Sequence, residues 1–302
     1  MSISVLRYDE QAESQRASLS DYVELTKPRI SMMVMVTVAI TAYVARWGQP
    51  DFLAIVHALV GTLLTAGSAS AMNQWLERDL DAQMPRTKNR PIPAGRISGQ
   101  QAKVIVAVSL VVGAAYLAVL VNPLTAAFSI ITWVIYVAAY TPMKTRTPLN
   151  TAVGAVSGAL PVLMGWAAVE GSWTDARWMA IFLLMFFWQF PHFMAIAYLY
   201  RKQYGEAGMK MWTVVDPTHR RSGLEAVVGA LAVLPVSLAT IGGVPDSRVQ
   251  LVLIFTLGVF QLLCAIRYCM NANETTARTL LRASLIYLPL VLFTLLSLPT
   301  AG

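Results

Sequence analysis

Three residues with oxygen-bearing side chains, Asn73, Glu77 and Asp81, recur at intervals of four. On an α-helix each such step turns about 400°, so the set drifts by only ~80° and shares one face. Two carboxylates and an amide oxygen on one face suit a hard cation. Mg²⁺ keeps several waters and takes only one or two carboxylates together with substrate phosphates. Asp79 points away from that face as long as the helix continues, and enters only if the helix unwinds near Pro85. Arg86, Lys88 and Arg90 follow directly, and guanidinium and ammonium groups hold phosphate oxygens. Acids followed by cations suit a diphosphate bridged to the protein by a metal. The plainer alternatives are a solvated helix end for the acids and lipid-headgroup anchors for the cations. Anchors alone would not need Glu77 and Asp81.

Apolar elements must position this cluster. The chain has 302 residues, 56% hydrophobic and 13% charged, with mean hydropathy +0.57. A soluble domain carries about 25% charge. Here the charges are confined to short stretches, and the apolar runs between them are long enough to cross ~30 Å of hydrocarbon as helices. The fold class is therefore all-α: a polytopic membrane protein with nine transmembrane helices bundled around a central cavity. The spans fall near 30–46, 52–74, 103–121, 124–141, 150–169, 177–200, 224–243, 249–270 and 282–299. Residues 1–20 read as a polar N-terminal tail without the apolar core of a cleavable signal, and 21–302 as a single intramembrane domain.

Charge sets the orientation. Of the 23 Lys and Arg, all but Arg46, Arg177 and Arg248 fall on one side of the nine spans. That bias places the N-terminus and the long loops 75–102 and 201–223 in the cytoplasm and the C-terminus outside. The same alternation explains the net charge of +7 without a nucleic-acid partner. Cys264 and Cys269 share one apolar segment, which suggests neither a disulfide nor a metal site.

A second polar group lies in the sixth span, Trp188-Gln189-Phe190-Pro191-His192-Phe193. Pro191 removes a backbone hydrogen bond and frees a carbonyl within the membrane. His192 lies roughly 12 Å inside the span's end, and reads either as a satisfied packing residue or as a ligand. His57 reads as packing and His219 as a solvated loop residue. Gly154 and Gly158 in the fifth span allow close helix approach.

At these residues the chain resembles the UbiA-type intramembrane prenyltransferases, whose first motif, Asn-x-x-x-acid-x-x-x-Asp, is matched by Asn73, Glu77 and Asp81. Within that superfamily it is more similar to the haem-farnesylating branch, the protohaem IX farnesyltransferases (haem O synthases). Four segments carry the closer match. They are Leu25-Thr26-Lys27-Pro28-Arg29; Asn73 to Arg96; Tyr140-Thr141-Pro142-x-Lys144-x-Arg146-Thr147 with Asn150 and Gly154; and Trp188-Gln189-x-Pro191-His192-Phe193, running on to Tyr204-x-x-Ala207-Gly208-x-x-Met211. The resemblance covers about residues 20–300. One departure stands out: where relatives carry an acidic pair before the tyrosine, this chain has Lys202 and Gln203, with Glu206 beyond Tyr204. A second metal site built like the first is not expected.

The resemblance implies farnesyl diphosphate as donor, haem B as acceptor, Mg²⁺ as cofactor, and residence in the bacterial cytoplasmic (inner) membrane. It implies Asn73, Glu77 and Asp81 as metal ligands, with Arg86 and Arg90 as further catalytic residues. Lys27, Arg86, Lys88, Arg90, Lys144 and Lys202 are the candidates for diphosphate oxygens, and His192 for contact with haem. A haem A synthase or a terminal oxidase would receive the product. Rival readings are a sister prenyltransferase acting on an aromatic or tetrapyrrole acceptor, a haem transporter, and a non-catalytic oxidase assembly factor. A transporter would show polar breaks near the midplane of both halves, whereas the clusters here lie at one membrane edge.

Overall fold

The computed structural model of the chain describes residues 17–298. The expected tail lies largely outside that range. A short helix α1, Leu19–Leu25, already begins at its end, started by a capping box in which Ser18 and Asp21 satisfy each other's backbone N–H groups. Nine helices among the described residues are long and apolar enough to cross a membrane. They are α2 Pro28–Ala45, α3 Phe52–Leu76, α5 Gly99–Leu120, α6 Pro123–Val134 with its extension to Met143, α8 Asn150–Ala168, α9 Arg177–Leu199, α12 Arg220–Ala239, α13 Arg248–Met270 and α14 Glu274–Leu296. Short helices occupy the loops between them: α4 Arg78–Gln83, α7 Thr141–Met143, α10 Arg201–Glu206 and α11 Trp212–Val215. The described residues contain no β-strand.

Each long helix packs on the next, and α14 returns to α2, which closes a ring; α2 with α8 and α9 with α14 make further contacts across it. The most interior helix is α8, 72% buried against 17% for α5. Its small residues explain why. A Cβ on Gly158 would collide with Gln189 Oε1 on α9, and one on Gly165 with the Val38 carbonyl on α2. Close approach of this kind is how membrane helices gain packing without a hydrophobic force between them. One apolar core, around Trp166, Ile181, Leu184 and Tyr287, fills the half of the bundle near Arg46. Another, around Met194, Ala230, Ala265 and Tyr268, ties α9, α12, α13 and α14 in the half near Glu77.

Two elements differ from their reading in the sequence. The last helix begins at Glu274, well before the expected 282. Asn273 and Thr276 form a capping box there, and the first three turns carry Glu274, Arg278 and Arg282, so hydropathy alone misses them. The fourth span does not stay α-helical: Ile135–Tyr140 is π-helical before α7. Pro142 has no N–H to continue the α register. Instead the Thr141 N–H and hydroxyl both donate to the Tyr136 carbonyl five residues back, the hydroxyl at 2.8 Å.

Candidate active site

Helix α3 turns at Glu77 (φ −94°, ψ 6°) and α4 starts at the next residue. The bonds from Glu77 N to Asn73 O (3.0 Å) and from Asp81 N to Glu77 O (2.7 Å) persist through the break. Asn73, Glu77 and Asp81 therefore stay on one inward side, 0%, 4% and 1% exposed. Asp79 faces out and pairs with Arg78 at 3.4 Å.

A different cation meets each of the three. Lys27 Nζ donates to Asn73 Oδ1. Lys144 Nζ lies 2.7 Å from Glu77 Oε1. Arg90 Nη1 donates to Asp81 Oδ2 at 2.6 Å. Each cation is delivered by a distinct local device. Lys27 caps α2 from a left-handed conformation (φ 51°) just before Pro28, a backbone strain worth roughly 1–3 kcal/mol. Gln74 supports that corner by donating to the carbonyls of Glu24 (3.2 Å) and Leu25 (3.0 Å). Arg90 sits on a loop whose start is pinned by Thr87 Oγ1 donating to the Asp81 carbonyl at 2.9 Å. Lys144 follows the π-helical turn, and its ammonium lies 4.7 Å from the Tyr140 ring centre. Asn73 Nδ2 donates to Thr141 Oγ1 at 3.0 Å, joining α3 to the same turn.

Burial pulls the Lys27 ammonium down to about 7, with Arg90 and Lys144 pushing the same way and Glu77 and Asp81 opposing. Burial would likewise raise the Glu77 carboxyl, but Lys144 and Lys27 outweigh it and hold the group below its usual range. Lys144 is desolvated too, and Glu77 outweighs that by holding its ammonium above the ordinary lysine range. The cluster is thus a buried, charged network.

The other expected cations lie elsewhere. Arg86 stacks on Tyr200, 4.6 Å from its ring centre, and its Nη2 donates to Tyr204 Oη at 3.4 Å, tying the first long loop to the second. Lys88 and Lys202 are exposed and make no ion pair among the described residues. His192 stacks on Trp188 at 4.6 Å, and its Nδ1 sits 3.0 Å from Ser284 Oγ in the seam between α9 and α14. Gln203 Oε1 is buried without a hydrogen-bond partner among the described residues, and Glu206 is exposed. Asn150, quoted above only as part of a motif, proves to be a junction. Its amide donates to the carbonyls of Thr147 (2.6 Å) and Lys210 (3.0 Å), and the Lys210 N–H donates to the Lys144 carbonyl at 2.6 Å.

The donor set fits a hard cation. Glu77 Oε1 is buried and, despite the nearby ammonium, has no aligned hydrogen-bond donor. No cluster of three or more His, Cys, Asp or Glu side chains forms among the described residues.

Residues 33–296 match the UbiA prenyltransferase family. The chain belongs to the UbiA prenyltransferase family. A protoheme IX farnesyltransferase of Rhodopirellula baltica is 42% identical over 89% of this chain and 96% of that protein. One of Opitutus terrae is 40% identical over 92% and 94%. Among solved structures, that of a digeranylgeranylglyceryl phosphate synthase superposes with a TM-score of 0.74 at 13% identity, covering 92% of this chain and 96% of that one. A UbiA homolog from Archaeoglobus fulgidus bound to GPP and Mg²⁺ gives 0.60 at 15% identity, covering 91% and 99%. At such identities these two structures establish the fold alone. Within the UbiA family frame, the nine apolar helices make the chain a multi-pass membrane protein.

Proposed function

We propose that this protein transfers the farnesyl group of farnesyl diphosphate to a vinyl group of haem B, with addition of water, giving haem O. The observation that carries this reading is the buried set of three cation contacts, Lys27 with Asn73, Lys144 with Glu77 and Arg90 with Asp81. The names of the related proteins supply the acceptor and the length of the prenyl group. Asn73, Glu77 and Asp81 would hold Mg²⁺, which when bound neutralises the diphosphate as it leaves. Support for the metal comes from the donor chemistry above and from the Mg²⁺ in the Archaeoglobus homolog.

The chain's own residues do the rest. With the acids engaged by a divalent ion, Lys27, Lys144 and Arg90 would be available to the diphosphate oxygens. There they stabilise the charge that grows on the leaving group, an effect strengthened by exclusion of water. Arg86, held at the rim by Tyr200 and Tyr204, can follow, and Lys88 and Lys202 attract the anion from the surface. The apolar bundle shields the allylic cation until the vinyl carbon attacks it. Capture of the resulting cation by water then gives the hydroxyethylfarnesyl side chain and releases a proton. We assign the contact with haem to His192, which lies in the seam between α9 and α14. The N-terminus and the Glu77 end face the cytoplasm of a bacterial inner membrane, and a haem A synthase or terminal oxidase takes the product.

Membranes containing the protein, supplied with haem B, farnesyl diphosphate and Mg²⁺, test this directly. Mass spectrometry should detect hydroxyethylfarnesyl haem, and the product should vanish with EDTA and in the Glu77→Ala/Asp81→Ala variant. Folded, abundant protein that makes no product would overturn the haem assignment. Product that survives the double substitution would overturn the site.

A further inference from the structure

At the end of the bundle opposite Glu77, a recess of about 390 Å³ opens among α2, α3, α5, α6 and α8, within the size range of small-ligand sites, about 300–1,000 Å³. Its walls carry Arg46, Asp51, His57, Asn122 and Glu170, none of which takes part in the site above. Charges of both signs face this one space, yet among the described residues no ion pair joins Arg46 to Asp51 or to Glu170 within 4.0 Å.

Local bonds hold the groups apart. Arg46 Nε donates to the Val169 carbonyl at 2.7 Å, and among the described residues the terminal guanidinium nitrogens have no acceptor. Asp51 Oδ1 caps α3 by accepting from Ala54 N at 2.9 Å, and Oδ2 has no partner among the described residues. His57 Nδ1 is engaged by Tyr116 Oη at 2.8 Å, which sets the ring. Asn122 Nδ2 donates to the Ala167 carbonyl at 2.7 Å. Glu170 stands in a left-handed turn (φ 54°).

Arg46, Asp51 and Glu170 are exposed, so water solvates them while the recess is open. A ligand carrying both charges satisfies them together. The surroundings indicate a lipid: Trp47, Trp173 and Trp178 crowd this end, with Arg177 4.9 Å from the Trp47 ring centre, the belt that marks a membrane interface. Leu53 and Leu120 line the same recess while 68% and 48% exposed, and offer acyl chains a way out between α3 and α5. We propose that this recess binds the headgroup of a zwitterionic phospholipid with a primary ammonium, of the phosphatidylethanolamine type. The phosphate meets Arg46 and the ammonium meets Asp51 and Glu170. A quaternary ammonium cannot donate hydrogen bonds to these carboxylates, and a glycerol headgroup leaves them unpaired.

The test is native mass spectrometry of the full chain in detergent micelles with equal amounts of phosphatidylethanolamine, phosphatidylcholine and phosphatidylglycerol. Phosphatidylethanolamine should be retained about tenfold over the other two, a difference of about 1.4 kcal/mol. Arg46→Gln and Glu170→Gln should each remove most of that preference while product formation at the far site persists, which shows that the variants are folded. Competition with phosphoethanolamine separates two forms of the site: displacement assigns it to the headgroup alone, and resistance to headgroup plus chains. Equal retention of the three lipids, or an unchanged preference in both variants, overturns the proposal.

Discussion

Lys144 Nζ lies 2.7 Å from Glu77 Oε1 because the π-helical turn Ile135–Tyr140 carries the lysine in from α6 to meet the bend at the end of α3. Both side chains are largely buried, at 12% and 6% exposure. Removing one partner of such a pair leaves a stranded charge and costs about 3–5 kcal/mol, whereas removing both can be close to neutral. Lys144→Met should therefore lower thermal stability sharply, and Lys144→Met/Glu77→Gln should restore most of it. Farnesyl transfer should be lost in both. A single variant as stable as the parent would show that the pair is not formed in the membrane.

Asp81 is held by Arg90 at 2.6 Å and is 1% exposed. If it is a metal ligand, Asp81→Asn should raise the Mg²⁺ concentration needed for half-maximal transfer by about tenfold or more, the loss of one charged contact of about 1.4 kcal/mol or more. Mg²⁺ with an unreactive diphosphate analogue should also raise the melting temperature of the parent by mass action, and much less so in the variant. An unchanged Mg²⁺ requirement would place the metal elsewhere.

How much of this was legible beforehand depended on the length of chain that carried each signal. The spacing of Asn73, Glu77 and Asp81 lies within one helix, so periodicity alone predicts a shared face, and the structure buries all three. The apolar runs gave the nine spans, but α14 starts early because Arg278 and Arg282 hide its first turns from hydropathy. The π-helical turn left no periodic trace. Only the Thr141-Pro142 pair hinted at it, since Pro142 removes the N–H that α register needs. Which cation meets which acid is a tertiary fact: Lys27, Lys144 and Arg90 come from three separate loops, while Arg86, closer in sequence to Asp81 than Arg90 is, is drawn off by Tyr200 and Tyr204. Gln74 and Asn150 lie within the segments that carry the resemblance, but nothing in their spacing marks them as braces of the loops around the acids.

Gly154 supports the same turn from α8. A Cβ built there would fall 2.7 Å from Tyr140 Cε2, and the Tyr140 ring lies under the Lys144 ammonium. Gly154→Ala should cost about 1–3 kcal/mol through overpacking and shift Lys144. Turnover should then fall more than the affinity for haem, because the displaced group serves the leaving diphosphate. A variant that lost stability with normal turnover would mean that the ring moves without disturbing Lys144.

Gln261 sits on the interior face of α13 at 1% exposure, between Gly258 and Ala265, and among the described residues neither its Nε2 nor its Oε1 has a hydrogen-bond partner. An unsatisfied buried polar group costs about 1–3 kcal/mol, and membrane interiors offer no solvent to relieve it. Gln261→Leu keeps similar bulk and removes both groups, so it should raise the melting temperature by several degrees, at about 2–4 °C per kcal/mol for chains of a few hundred residues, with transfer unchanged. A fall in stability would mean that the amide is hydrogen-bonded in the working protein. A fall in transfer at unchanged stability would mean that its partner is a polar group of the substrate, which would extend the candidate site from the charged mouth to the middle of the membrane.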